Sequence, residues 1–402
     1  GAISITATNT STDHSFRYQG ASGAIKSNGD ILIQGGNSTG ATGTWGVTVY
    51  GGRSIQSTGG SVSITAKGSS GGLYVESSDT SIVAGNHLTT PTAGGDLTIN
   101  ATGGSSYGAQ IVAGSLVANG SINLKFSGGL EGGYLYGSGL VKANGNISMD
   151  ATSTSISNWA LYFKDSRLIQ STAGNISIKA NGGYGFYMNA GGIVAGNDTT
   201  APTAGGSIDV RSVTTGSHIA AAGLRLDGDY TKILAYGDIN INANAASAGL
   251  TTNGNGHGVI LYGHYQTIRS FSGDLTITGY ANRPVGTDTG WANISGGITL
   301  WSGLDTLRAY RNVTLKGVSM QGIGVYLTVT DLGSIDGVKS DTGNILIDGL
   351  SNSAYAGTYV RIPVTATAGY VSISGAGSGA GIYQDSAQGN VTADGNISMV
   401  GY

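Results

Sequence analysis

Aliphatic and small polar residues alternate in short runs along the whole chain, most runs being entered by a glycine and one small polar residue. Gly29-Asp30-Ile31-Leu32-Ile33, Gly60-Ser61-Val62-Ser63-Ile64 and Gly174-Asn175-Ile176-Ser177-Ile178 are typical, and the series continues to Gly395-Asn396-Ile397-Ser398-Met399. Apolar residues at i and i+2 put one face in a core and the other in water, which is the period of a strand and not of a helix. A second run follows in most repeats, as in Gly72-Leu73-Tyr74-Val75, Gly185-Phe186-Tyr187-Met188 and Gly324-Val325-Tyr326-Leu327. A third leads back to the next glycine, as in Leu168-Ile169-Gln170-Ser171.

The entry glycines recur at roughly 30 residues, inside the range of solenoid repeats. Three short strands per repeat predict an all-β fold, a parallel β-helix of about 14 coils in which like residues stack on like and bury a core that no single coil could. At about 4.8 Å per coil the stack would be on the order of 65 Å long. No linker divides the chain, so residues 1–402 read as one continuous β-helix, with 279–296 as the candidate loop excursion. Two segments, Ile82 to Gly95 and Ile193 to Gly206, are near duplicates, which points to structural loops copied with the repeat. The chain opens inside a repeat and is expected to be a piece of something longer.

Composition fits this reading. Of 402 residues, 72 are glycine and 4 proline, and 10% are charged. Glycine is expected at corners that need a positive φ, and proline is scarce because it removes a ladder hydrogen bond. With no cysteine there is no disulfide framework and no thiolate-held metal. No apolar run is long enough for a membrane-spanning helix. The balance of 19 basic against 22 acidic residues provides no basic stripe, so nucleic acid is not an expected partner.

Candidate chemistry is thin. β-helical glycosidases and lyases need carboxylates converging on one face, whereas Asp30, Asp96, Asp238 and Asp274 share one position after the entry glycine, interchange with Asn and Ser, and read as turn hydrogen-bonding residues. Asp227-Gly228-Asp229, with Asp209 or Asp238, is the densest acidic spot, but two carboxylates fall short of a calcium site and read as a solvated turn. His257 and His264 flank a second strand without a catalytic partner. No catalytic residue, metal site or cofactor is therefore expected, and the chain reads as a non-enzyme.

One surface feature stands out. The outward residue of the second strand is Tyr74, Tyr162, Tyr187, Tyr326 and Tyr383 in five coils and Arg225 and Arg361 in two more. These seven form a candidate binding column. Tyrosine is also a good strand former whose ring covers the neighbouring coil, so the column has a structural reading beside that of a contact surface for glycan or for another copy.

The run Arg167-Leu168-Ile169-Gln170-Ser171-Thr172-Ala173-Gly174-Asn175-Ile176-Ser177-Ile178-Lys179-Ala180 resembles the stalk repeats of filamentous-haemagglutinin-like bacterial adhesins, which are exported by two-partner secretion. The resemblance extends over essentially the whole chain as periodicity and composition. It implies a right-handed parallel β-helix, secretion to the cell surface, and a role in adhesion, aggregation or biofilm structure. Partners so implied are a glycan or cell-surface receptor, or further copies associating laterally or end to end. The alternatives are a self-assembling filament, sheath or matrix protein, and a secreted polysaccharide lyase or glycosidase on a β-helix.

Overall fold

Each alternating run forms a strand, and every third strand in chain order joins the same sheet. The computed structural model describes residues 1–10, 13–37, 44–216, 222–246, 256–282, 295–301, 305–328, 337–385 and 389–402. The three sheets hold 14, 13 and 13 strands, and pairing between successive coils is parallel. The fold is thus a parallel β-helix with three strands per coil. Among the described residues no helix is long and apolar enough to cross a membrane.

By internal contacts the chain divides into two compact units, residues 1–182 with 191–199 and 204–206, and residues 183–190 and 200–203 with 207–402. In the first unit, the first sheet stacks Leu97 on Ile122, Ile122 on Ile147 and Ile147 on Ile176. In the second it stacks Ile239 on Leu275, Leu275 on Val313 and Val313 on Ile345. These residues are at most 1% exposed. Matching strand by strand removes both faces of each aliphatic column from water, at about 25 cal/mol per Å² of apolar surface.

Volume is exchanged inside the core. Phe126 occupies a first-sheet column whose register neighbours are Ala101 and Ala151. Opposite its ring lies Gly133, where a Cβ would come within 2.7 Å of Phe126. Gly133 is in turn paired with Ala109 and Leu161, so one large residue and one small one trade places across the coil.

The corners correct the expectation about glycine. Among the described residues none of the glycines entering the first-sheet strands has a positive φ; the conformation occurs at Gly94 and Gly205, each just before an entry glycine, and mostly in the turn between the second and third sheets. The entry glycines are required by close approach, since a Cβ on Gly120 would lie 2.1 Å from Asp96 Oδ1 and one on Gly174 2.5 Å from the Gly145 carbonyl carbon. The polar residue that follows has the hydrogen-bonding role expected of it, directed to the next coil. Asp30 Oδ1 accepts from the Ser61 amide at 2.8 Å, Ser61 Oγ from Asp96 at 3.1 Å, and Asp96 Oδ1 from Ser121 at 2.7 Å. In the second unit Asp238, Asp274 and Asn312 accept in the same way from Asp274, Asn312 and Asn344, at 2.8–2.9 Å.

Three further expectations meet the structure. Of the expected excursion 279–296, residues 279–282 instead complete the strand Leu275–Asn282 and Gly296 opens the strand Gly296–Trp301; residues 283–294 lie outside those described. The duplicated loops close alike, with the Asn86 amide donating to the Ala93 carbonyl at 3.0 Å and that of Asn197 to Ala204 at 2.9 Å. His257 does not flank its strand; it begins the strand His257–Tyr262, is buried, and its Nδ1 lies 3.0 Å from Thr299 Oγ1.

Candidate functional site

The outward positions of the second sheet come from strands of six residues or fewer, where each inward aliphatic residue fixes the side chain after it on the solvent face. In the first unit this register aligns Thr48, Tyr74, Gln110, Tyr134 and Tyr162. Tyr134 is absent from the expected column, because the run Gly132-Gly133-Tyr134-Leu135 has glycine at the first inward position and breaks the aliphatic signature. It is nevertheless the hub. Its ring lies 5.1 Å from Tyr162, 5.2 Å from Tyr136 and 5.5 Å from Tyr107. Tyr107 stacks on Trp45 at 6.3 Å, and Trp45 meets Tyr74 at 5.2 Å, which in turn meets Tyr50 at 6.4 Å. Seven partly exposed rings thus form one continuous run, and the two residues expected in this unit, Tyr74 and Tyr162, belong to one patch.

Electrostatics keep the patch neutral and hydrogen-bonding. Burial raises the Tyr134 phenol to about 12, and Tyr162 and the Glu131 carboxyl add to the effect. Burial and the neighbouring Glu76 carboxylate also raise Tyr74. Glu131 lies beside Tyr107 and Tyr134, and burial lifts its own carboxyl to about 7. Its Oε2 is buried without a hydrogen-bond partner.

In the second unit the same column reads Tyr187, Arg225, Ile260, Thr299, Tyr326, Tyr359 and Tyr383. Ile260 and Thr299 divide it. On one side Arg225 pairs with Asp227 at 2.7 Å, Tyr187 Oη donates to Asp227 Oδ2 at 3.1 Å, and the guanidinium lies 5.4 Å from the Tyr262 ring centre. On the other, Tyr326 packs between Trp301 at 5.8 Å and Tyr359 at 4.9 Å, and Tyr359 stacks on Tyr383 at 5.0 Å. Tyr326 and Tyr359 are only 6% and 8% exposed, so these rings cover neighbouring coils, while Tyr383 is exposed. Arg361 is not in the column: it follows the strand Ala356–Val360, Tyr359 holds the outward position, and the guanidinium pairs with Asp385 at 3.5 Å.

No protein-family model, curated protein or solved structure matches the chain. The site is therefore read from its own chemistry. The Asp227-Gly228-Asp229 turn spends its carboxylates internally, Asp227 on Arg225, Tyr187 and the Gly228 amide and Asp229 on the His264 amide. Among the described residues no group of three or more His, Asp or Glu is placed to hold a metal ion. The arrangement offers aromatic faces, phenol hydroxyls and a few fixed ion pairs, the chemistry of contact.

Proposed function

We propose that the chain is a non-catalytic extracellular binding scaffold, part of a bacterial surface adhesin, and that the aromatic patch of its first unit is a contact surface for glycans. The observation that carries the reading is the unbroken run from Tyr74 through Trp45, Tyr107 and Tyr134 to Tyr162. Exposed aromatic surface with polar tips is what recognition faces enrich. Repetition supports the same reading, since a solenoid presents an extended face without needing a single concave centre. The entry-turn aspartates support it from the other side, because their carboxylates hold the coils together.

Beads coated with the protein should adhere to glycan-bearing cells, and Tyr134→Ser with Tyr162→Ser should weaken adhesion while leaving the circular dichroism unchanged. Incubation with neutral and acidic polysaccharides should release no new reducing ends or unsaturated products. Product formation, or adhesion indifferent to both substitutions, overturns the proposal.

A further inference from the structure

The chain has two glutamates, Glu76 and Glu131, and both border the aromatic run of the first unit. Glu76 ends the strand Gly71–Glu76, is exposed, and pairs in register with Tyr50 and Val112. Its carboxylate accepts a hydrogen bond from the Tyr74 phenol. Glu131 lies beside Tyr107 and Tyr134, and its Oε2 has no hydrogen-bond partner. Among the described residues neither carboxylate is in an ion pair.

A strand of the second unit shows the same design with its cation supplied. The strand Ala222–Asp227 has the length of Gly71–Glu76 and also ends on an acid. Two residues before Asp227 stands Arg225, whose guanidinium pairs with that carboxylate at 2.7 Å and lies 5.9 and 5.4 Å from the Tyr187 and Tyr262 ring centres. Two residues before Glu76 stands Tyr74 instead. The first unit thus keeps the rings and the acid without the cation that joins them in the second. Arg17, 5.3 Å from the Tyr50 ring centre, and Lys164, in register with Tyr136, stand at opposite ends of the run. Among the described residues no cation stands over Trp45, Tyr74, Tyr107 or Tyr134.

We propose that the glycan taken by this surface carries free ammonium groups, as glucosamine residues without N-acetyl groups do, with pyranose faces on the rings and ammoniums at Glu76 and Glu131. This rests on the contact surface proposed above and adds its ligand class. A cation over an aromatic face is attracted by the ring quadrupole, and a carboxylate beside it adds a charge-assisted hydrogen bond. An ammonium next to Glu131 also favours the ionised carboxylate that burial opposes. A basic peptide suits the surface less well. Each lysine stem would lose rotamer freedom on binding, whereas the sugar ammonium is fixed to a rigid ring that itself packs on the aromatic faces.

Calorimetric titration of the full chain with a glucosamine hexamer, at a pH that keeps the sugar amine protonated, tests the proposal. An N-acetylglucosamine hexamer, hexalysine and a short oligogalacturonate are the other arms. The glucosamine hexamer should bind saturably, less well in high salt, and about tenfold more tightly than its N-acetyl counterpart. Glu76→Gln with Glu131→Gln preserves side-chain shape and should stay folded by circular dichroism, with the two hexamers then binding within about twofold of each other. No saturable binding of the glucosamine hexamer, tighter binding of hexalysine or the oligogalacturonate, or an undiminished preference in the double variant would each overturn it. Equal affinity of the wild type for the two hexamers, lowered for both by Tyr134→Ser, would overturn it while leaving the contact surface standing.

Discussion

Glu131 and Arg167 are both charged side chains strongly perturbed by burial, and they are handled in opposite ways. Arg167 is 1% exposed and donates to the carbonyls of Gly114, Ile111 and Tyr136 at 3.1, 3.2 and 2.9 Å. Burial lowers its guanidinium to about 10, so it remains a cation at neutral pH and supplies donors to a corner rich in carbonyls. Glu131 has no such compensation. Its carboxyl stands at about 7 in the fold, against about 4.3 for an unperturbed glutamate. Between those values the folded state keeps a proton that the unfolded chain releases, so its contribution is fully present below about pH 4 and is lost as pH rises through 7. Glu131→Gln should therefore match wild-type thermal stability near pH 4 and exceed it near pH 8, by on the order of 2 kcal/mol after allowance for partial exposure. A wild-type-to-variant difference that does not change with pH contradicts this. Neither burial was legible in the sequence: Arg167 precedes an ordinary third-strand run, and Glu131 sits among glycines that signal a loop.

At the level of the strand, alternation announced the elements and their inward faces, because period two has one physical solution when one side must be dry. The corner geometry was less legible. Glycine fits both a positive φ and a close approach, and sequence does not separate them. Gly324 shows the second: a Cβ there would lie 2.4 Å from the Leu350 amide nitrogen and 2.6 Å from the Gly357 carbonyl oxygen. Gly36, also within a strand, would meet nothing within 4 Å. Gly324→Ala should destabilise by about 2 kcal/mol or more, whereas Gly36→Ala should be neutral or stabilise by up to about 1 kcal/mol. Thermal denaturation of the pair checks this, and similar melting temperatures would remove close approach as the reason for glycine at this position. Ala160 occupies the equivalent place in its own coil because Gly182 faces it, where a Cβ would come within 3.1 Å of the Ala160 Cβ. The same substitution logic hid Tyr134: Gly133 yields its volume to Phe126 and so erases the aliphatic marker that identified Tyr74 and Tyr162. Tyr359 lacks the marker too, because the run Gly357-Thr358-Tyr359-Val360 begins its inward face with threonine, which leaves Arg361 as the residue the pattern selects.

For the molecule as a whole, the repeat period decided the fold class more firmly than any single residue. Each strand bonds chiefly to its counterparts in the coils before and after, so within each unit stability adds up from coil to coil. Function is harder to read from a solenoid, because its surface positions vary while the core pattern stays fixed. The seven-residue column was half legible: Tyr74 and Tyr162 join a patch, Tyr187 and Arg225 join an ion-paired cluster, and Tyr326 turns out to be covered. The proposal that the first unit makes contact through its aromatic patch is tested most directly on a glycan array, comparing wild type with Tyr134→Ser. Loss of the hub ring should lower binding to the recognised glycans by about tenfold without lowering the melting temperature enough to unfold the protein. Unchanged binding by a folded Tyr134→Ser, or no glycan bound by the wild type, would contradict the account.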